Sequence, residues 1–165
     1  MTRLILAIAG VLASWSTADV MAASPLPPVC QTKTDTIVGA RKMDKKQLRQ
    51  AYERYLVAWS AVPQAQRIRI LEDTLTPDIQ YHDAMTKGAG IAHLANHLAA
   101  FQERRASYSF SLGSLLTFGD EALATWEMRD PAGAIVVRGY DVLHFDANGK
   151  ISAITGFSDV DQMRA

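Results

Sequence analysis

The hydrophobic periodicity of this chain changes for good at about Arg105, and that switch limits the folds open to it. Before it, apart from one short alternating run, apolar residues recur at three- and four-residue spacing, the period of helices that bury one face. After it they alternate with period two to the end, the mark of strands with one buried face. Helices followed by strands on short turns predict an α+β domain, with three N-terminal helices packed on a strongly curved, mainly antiparallel sheet that wraps a cavity.

Asp44 is placed to cap a helix over residues 44–61, whose stripe is Leu48, Tyr52, Tyr55, Leu56 and Trp59. Pro63 interrupts, a second short helix spans 64–75, and Pro77 is expected to end it. Residues 79–83 alternate as a strand with Ile79, Tyr81 and Asp83 on one face, Gln80 and His82 on the other. A glycine-bounded turn at 88–90 leads to a third helix over 91–104, with Ile91, Leu94, Leu98 and Phe101 inward. Strands follow at 108–118, with a bulge or bend at Gly113, then at 122–129, 135–145 and 151–159.

The N-terminus reads as an export signal over residues 1–23: Arg3, an apolar run over 4–15, then small-residue cleavage patterns ending at Ala22 or Ala23. Polar interruptions at Ser14, Ser16, Thr17 and Asp19 argue against a spanning helix, so the mature protein is expected in the periplasm or secreted, without stable membrane insertion. Residues 24–42, proline-rich and then polar, read as an extended arm before a domain at 43–161. Cys30, in the arm, is the only cysteine, which excludes an internal disulfide. Lys plus Arg number 17, matching 17 Asp plus Glu with no long like-charge block, so nucleic acid is not an expected partner.

Asp141 is the anomaly of the strand region. In the run from Ile135 to Phe145, the inward set is Ile135, Val137, Gly139, Asp141, Leu143 and Phe145, so a carboxylate stands on an apolar face. Burying it without partners costs several kcal/mol, roughly, so it is paired, protonated or used. Asp83 lies on an apolar face as well, and Trp59, Tyr81, Phe101, Trp126, Met128 and Phe157 are candidate cavity walls or core. His93 and His97 share a helical face, but the glutamate of the zinc motif and a third ligand are missing, so no metal is expected. His97 flanks the stripe near Phe101 and can reach Asp83 or Asp141, whereas His82 and His144 fall on the outer strand faces.

These residues carry a resemblance. Arg54-Tyr55 in the first helix, Tyr81-His82-Asp83 in the first strand, and Asp141 with the Phe145-Asp146-x-x-Gly149-Lys150-Ile151 hairpin resemble the SnoaL-like group of the nuclear transport factor 2-like superfamily. The likeness covers about residues 45–160 and implies a cone-shaped α+β barrel whose open end holds a small, often lipophilic molecule bearing a carbonyl or hydroxyl. Members include steroid isomerases, polyketide cyclases and dehydratases, working without cofactor, and many proteins that catalyse nothing. Likeness to the ketosteroid isomerase branch implies Asp83 as base, with Tyr55 and a protonated Asp141 as hydrogen-bond donors to an enolate oxygen. His97 would then serve as a proton relay, as in the His-Asp dyad of dehydratase members. Ala84 departs from the proline common after that base in the isomerases. Two alternatives stand beside catalysis: a ligand-binding module in which the same polar groups only orient a ligand or satisfy one another, and a homodimer formed through the outer sheet face.

Overall fold

The computed structural model describes residues 44–159. Its elements run α1 (Lys45–Val57), α2 (Gln64–Thr74), β1 (Leu75–His82), β2 (Lys87–Ala89), α3 (Ile91–Arg104), β3 (Ser109–Phe118), β4 (Glu121–Arg129), β5 (Ile135–Phe145) and β6 (Ile151–Ser158). The expected export signal, the arm with Cys30, and the outermost residues of the 43–161 domain lie outside the described residues.

The six strands form one sheet in the order β2-β1-β6-β5-β4-β3. Neighbours are antiparallel except β1 and β6, which run parallel, so the sheet is mixed. Its register slips between Leu112 and Ser114, Met128 and Arg129, His144 and Phe145, and along β1. Each slip bends the strand that carries it, and the sheet curves without closing, since β2 and β3 remain its two edges. The α+β class, the three helices and the irregularity at Gly113 are therefore as the periodicity requires.

Helix α1 starts at the predicted cap, where the Asp44 side chain accepts from the Lys46 N–H at 3.0 Å. It packs on β3, α3 packs on β1, and α2 lies against both helices. The inward faces meet in one core that includes Leu48, Leu71, Leu94, Leu98, Met128, Leu143 and Ile154, all fully buried. Burial of each such side chain contributes roughly 1.5–3 kcal/mol.

Several expected boundaries move, and the first strand, expected at 79–83, spans Leu75–His82. Helix α1 ends at Val57 because the N–H groups of Ala58, Trp59 and Ser60 turn back to the carbonyls of Tyr55, Leu56 and Val57. Arg67 of α2, 4% exposed, then donates to the Ala58 carbonyl at 2.9 Å and the Ser60 carbonyl at 3.2 Å. A buried guanidinium thus takes up carbonyls that the helix end leaves without partners. Helix α2 ends at Thr74, and Pro77 lies inside β1 rather than terminating the helix. Its missing N–H costs little there, since the β1 ladder to β6 jumps from Leu75 to Gln80 and pairing with β2 begins only at Gln80. The expected glycine turn includes most of β2, three residues too short to show alternation.

Candidate functional site

The inward phase of β5 puts Asp141 in the interior at 7% exposure. Trp126 on β4 pairs in register with Gly139, and a Cβ added at Gly139 would stand 2.2 Å from Trp126 Cζ2. The absent side chain lets the indole lie across the β5 backbone, where its Nε1–H donates to Asp141 Oδ1 at 2.9 Å. From α1 the Tyr52 hydroxyl donates to Asp141 Oδ2 at 2.8 Å. Burial pushes the Asp141 carboxyl up to about 6, against the lowering effect of these two hydrogen bonds and with the charge of Asp83 adding to the rise. Burial also raises Tyr52 well above its ordinary value, so it remains a neutral donor.

Asp83 follows β1 on the phase of Ile79 and Tyr81, and its environment is opposite in kind. Oδ1 accepts the N–H groups of Met85 and Thr86, both at 2.7 Å. Oδ2 accepts the Tyr81 hydroxyl at 2.7 Å and lies 3.5 Å from His97 Nε2. Burial alone would raise this carboxyl, but the bonds from His97, Tyr81 and the two backbone N–H groups together hold it below the usual range. His97 is fixed in turn by the rings of Trp59 and Tyr81, with centroids at 5.7 and 5.8 Å. One turn earlier on α3, His93 packs over Gly88, where a Cβ would stand 2.3 Å from its Nε2.

Between the two carboxylates lies a cavity lined by Leu56, Trp59, Tyr81, Asp83, Phe110, Trp126, Asp141, Gly156 and Ser158. Its volume is about 30 Å³, a small cavity partly open to solvent. Gly156 is its floor: a Cβ there would be 3.2 Å from Asp141 Oδ1 and 3.3 Å from the Asp83 Cβ.

The structure thus brings together Asp83, Asp141, Trp59, Tyr81 and Trp126, with His97 against Asp83. It does not place the other expected residues on the cavity wall. Tyr55 is fully buried and its hydroxyl accepts the Trp59 Nε1–H at 2.9 Å, so the α1 tyrosine that reaches Asp141 is Tyr52, one turn earlier. Both occupy the same helical stripe, and only the rotation of α1 on the sheet distinguishes them. Phe101 stands behind Trp59 and Phe110, with centroids at 5.3 and 5.5 Å, and Met128 is core. Phe157 is 55% exposed. The irregularity between β5 and β6 sets Gly156 opposite Asp141 and Phe157 opposite the outward Tyr140. Phe110 and Leu56 were legible as strand and helix apolar positions. Gly156 and Ser158 carried no such signal.

Among the described residues, no group of three or more His, Cys, Asp or Glu is placed to hold a metal ion, and no helix is long and apolar enough to cross a membrane.

Residues 52–154, more than half of the chain, match the SnoaL-like domain. The chain belongs to the SnoaL-like domain family. Among solved structures, a candidate isomerase of the SnoaL-like family from Agrobacterium tumefaciens is 25% identical with a TM-score of 0.64, covering 69% of this chain and 98% of that one. A candidate SnoaL-like polyketide cyclase from a Jannaschia species is 15% identical with a TM-score of 0.60, over 72% of this chain and 90% of that one. A nuclear transport factor 2-like protein of unknown function from Cytophaga hutchinsonii is 10% identical with a TM-score of 0.54, over 72% and 95%. The last two share the fold with this SnoaL-like chain. No curated protein matches it.

Proposed function

We propose that this SnoaL-like protein catalyses cofactor-independent proton transfer on a small molecule bearing a carbonyl or hydroxyl, an isomerase, cyclase or dehydratase type of reaction. The observation that carries the reading is one cavity holding two carboxylates whose surroundings drive their proton affinities apart. Asp83 has four donors on its two oxygens and a depressed pKa, which makes it a poor proton acceptor. Asp141 has one donor on each oxygen, so a lone pair on each stays available, and its pKa of about 6 lies near neutrality. Asp141 therefore takes the proton from a carbon beside the carbonyl and returns it. Asp83 stays ionised and fixes the Tyr81 ring and His97 beside the cavity. This reverses the division of labour that the isomerase likeness implies for the two aspartates.

A panel of small unsaturated ketones, epoxides and polyketide-like substrates tests the reading, with exchange of the α-hydrogen for deuterium as a sensitive readout. Turnover falling roughly 10²–10⁴-fold in Asp141→Asn is expected for loss of a general base. Turnover that survives in that variant, or binding without turnover across the panel, rejects it in favour of a ligand-binding module.

A second reading concerns assembly and is compatible with the first. Leu116, Leu123, Tyr140 and Phe157 stand exposed on the outer sheet face, which supports a homodimer through that face. Sedimentation of wild type against Tyr140→Lys checks it. The pattern of Arg3 and the apolar run after it supports export with cleavage near Ala23. The N-terminal sequence of protein recovered from the periplasmic or extracellular fraction is the test.

A further inference from the structure

The wall of the cavity bears on the charge of what enters it. Four rings form a continuous arc: Tyr81 to Trp59 at 6.5 Å, Trp59 to Phe110 at 4.9 Å, and Phe110 to Trp126 at 5.4 Å between centroids. Asp83 and Asp141 flank the Gly156 floor beneath it. No Lys or Arg is among the lining residues, and His97 is turned to Asp83. Aromatic rings attract positive charge through their quadrupole, and exclusion of water strengthens that attraction. A carboxylate or phosphate entering the same space meets two carboxylates and no cation. The hydrogen-bond count also chooses between the aspartates. Asp83 already accepts two donors on each oxygen, whereas Asp141 accepts one on each and can receive another.

We propose that the cavity selects small organic cations, protonated amines or quaternary ammonium groups, over neutral and anionic molecules of the same shape, with the charge lodged between the aromatic arc and the Asp141 carboxylate. This rests on the reading that the cavity is the ligand site, and not on turnover. An amine beside a carbonyl would satisfy both this preference and the proton-transfer chemistry.

Titration calorimetry on the purified protein at neutral pH tests the selection with three matched probes: choline, its neutral isostere 3,3-dimethylbutan-1-ol, and anionic 3,3-dimethylbutanoate. Choline should bind roughly tenfold or more tightly than the alcohol, and the butanoate weakest. Asp141→Asn should lower choline affinity roughly tenfold while leaving the alcohol within about twofold. Trp59→Leu should act in the same direction, and thermal melts identify any variant that fails to fold. An alcohol that binds as well as choline, equal binding of all three, or no binding of any probe at millimolar concentration overturns the proposal. The ranking is read on wild-type protein without turnover, so it can fail while the proton-transfer reading stands, and the reverse.

Discussion

Replacing Asp141 by asparagine should make this protein more stable at neutral pH, by an amount that disappears in acid. The carboxyl ionises at an ordinary value of 3.8 in the unfolded chain and at about 6 in the fold, chiefly because burial penalises its charge. Between those values the folded state holds more protons than the unfolded one, so this group makes stability fall as pH rises. Below the unfolded value it costs nothing. Above the folded value the full penalty is present, about 3 kcal/mol for a shift of about two units. Asparagine has nearly the same shape and does not titrate. Its carbonyl can keep the Trp126 N–H bond, while its amide faces the Tyr52 hydroxyl, which must redirect its own proton at a cost of about 1 kcal/mol at every pH. The net expectation is a gain of roughly 2 kcal/mol at about pH 8, shrinking to a small loss at about pH 4. Asp83 has the opposite sign, contributing stability above its unfolded value that is lost in acid, but it is present in both proteins and largely cancels. Urea unfolding of wild type and variant, followed by tryptophan fluorescence across that range, measures the difference. A gap between the two proteins that does not change with pH, or a wild type that is the more stable at pH 8, refutes the argument that this carboxylate is buried at a cost.

Tyr52→Phe should raise the Asp141 pKa above about 6, because a bond that favours the ionised form is lost, whereas Tyr55→Phe should move it much less; a pH–rate profile or carboxyl NMR titration separates them. Asp83→Asn should move the same titration downward by removing a like charge, and an unmoved value would break the electrostatic link between the aspartates. Gly156→Ala places a methyl 3.2 Å from Asp141 Oδ1, so ligand binding should fall by roughly tenfold or more with a stability loss below about 1.5 kcal/mol, checked by calorimetry and melting. Gly139→Ala, with its Cβ 2.2 Å from Trp126 Cζ2 and 2.5 Å from the Phe157 carbonyl oxygen, should cost about 1–3 kcal/mol or more in urea unfolding.

Local periodicity alone places three helices before four long strands, the inward face of β5, and Asp83 and Asp141 on buried phases, because side-chain direction within a helix or strand follows the backbone repeat. Where that repeat breaks, sequence reading breaks with it. The irregularity between His144 and Phe145 reverses the phase that Phe157 would otherwise have, and the unpaired stretch of β1 admits Pro77 into a strand. Tyr52 and Tyr55 are three residues apart on one stripe, so their phase is nearly the same and their chemistry identical. Which of them meets Asp141 depends on how α1 is turned against β3 and the sheet. The raised proton affinity of Asp141 is likewise a tertiary matter. Burial raises Asp141, whose two donors come from α1 and β4, far from it in the chain, whereas three of the four donors on Asp83 are its near neighbours Tyr81, Met85 and Thr86 and only His97 comes from another element. The sequence by itself determined that two carboxylates face the interior of a SnoaL-like fold. Only the packing of α1 and β4 against β5 decided that Asp141 is buried with a single donor on each oxygen, because those contacts depend on distances between elements that no local repeat encodes.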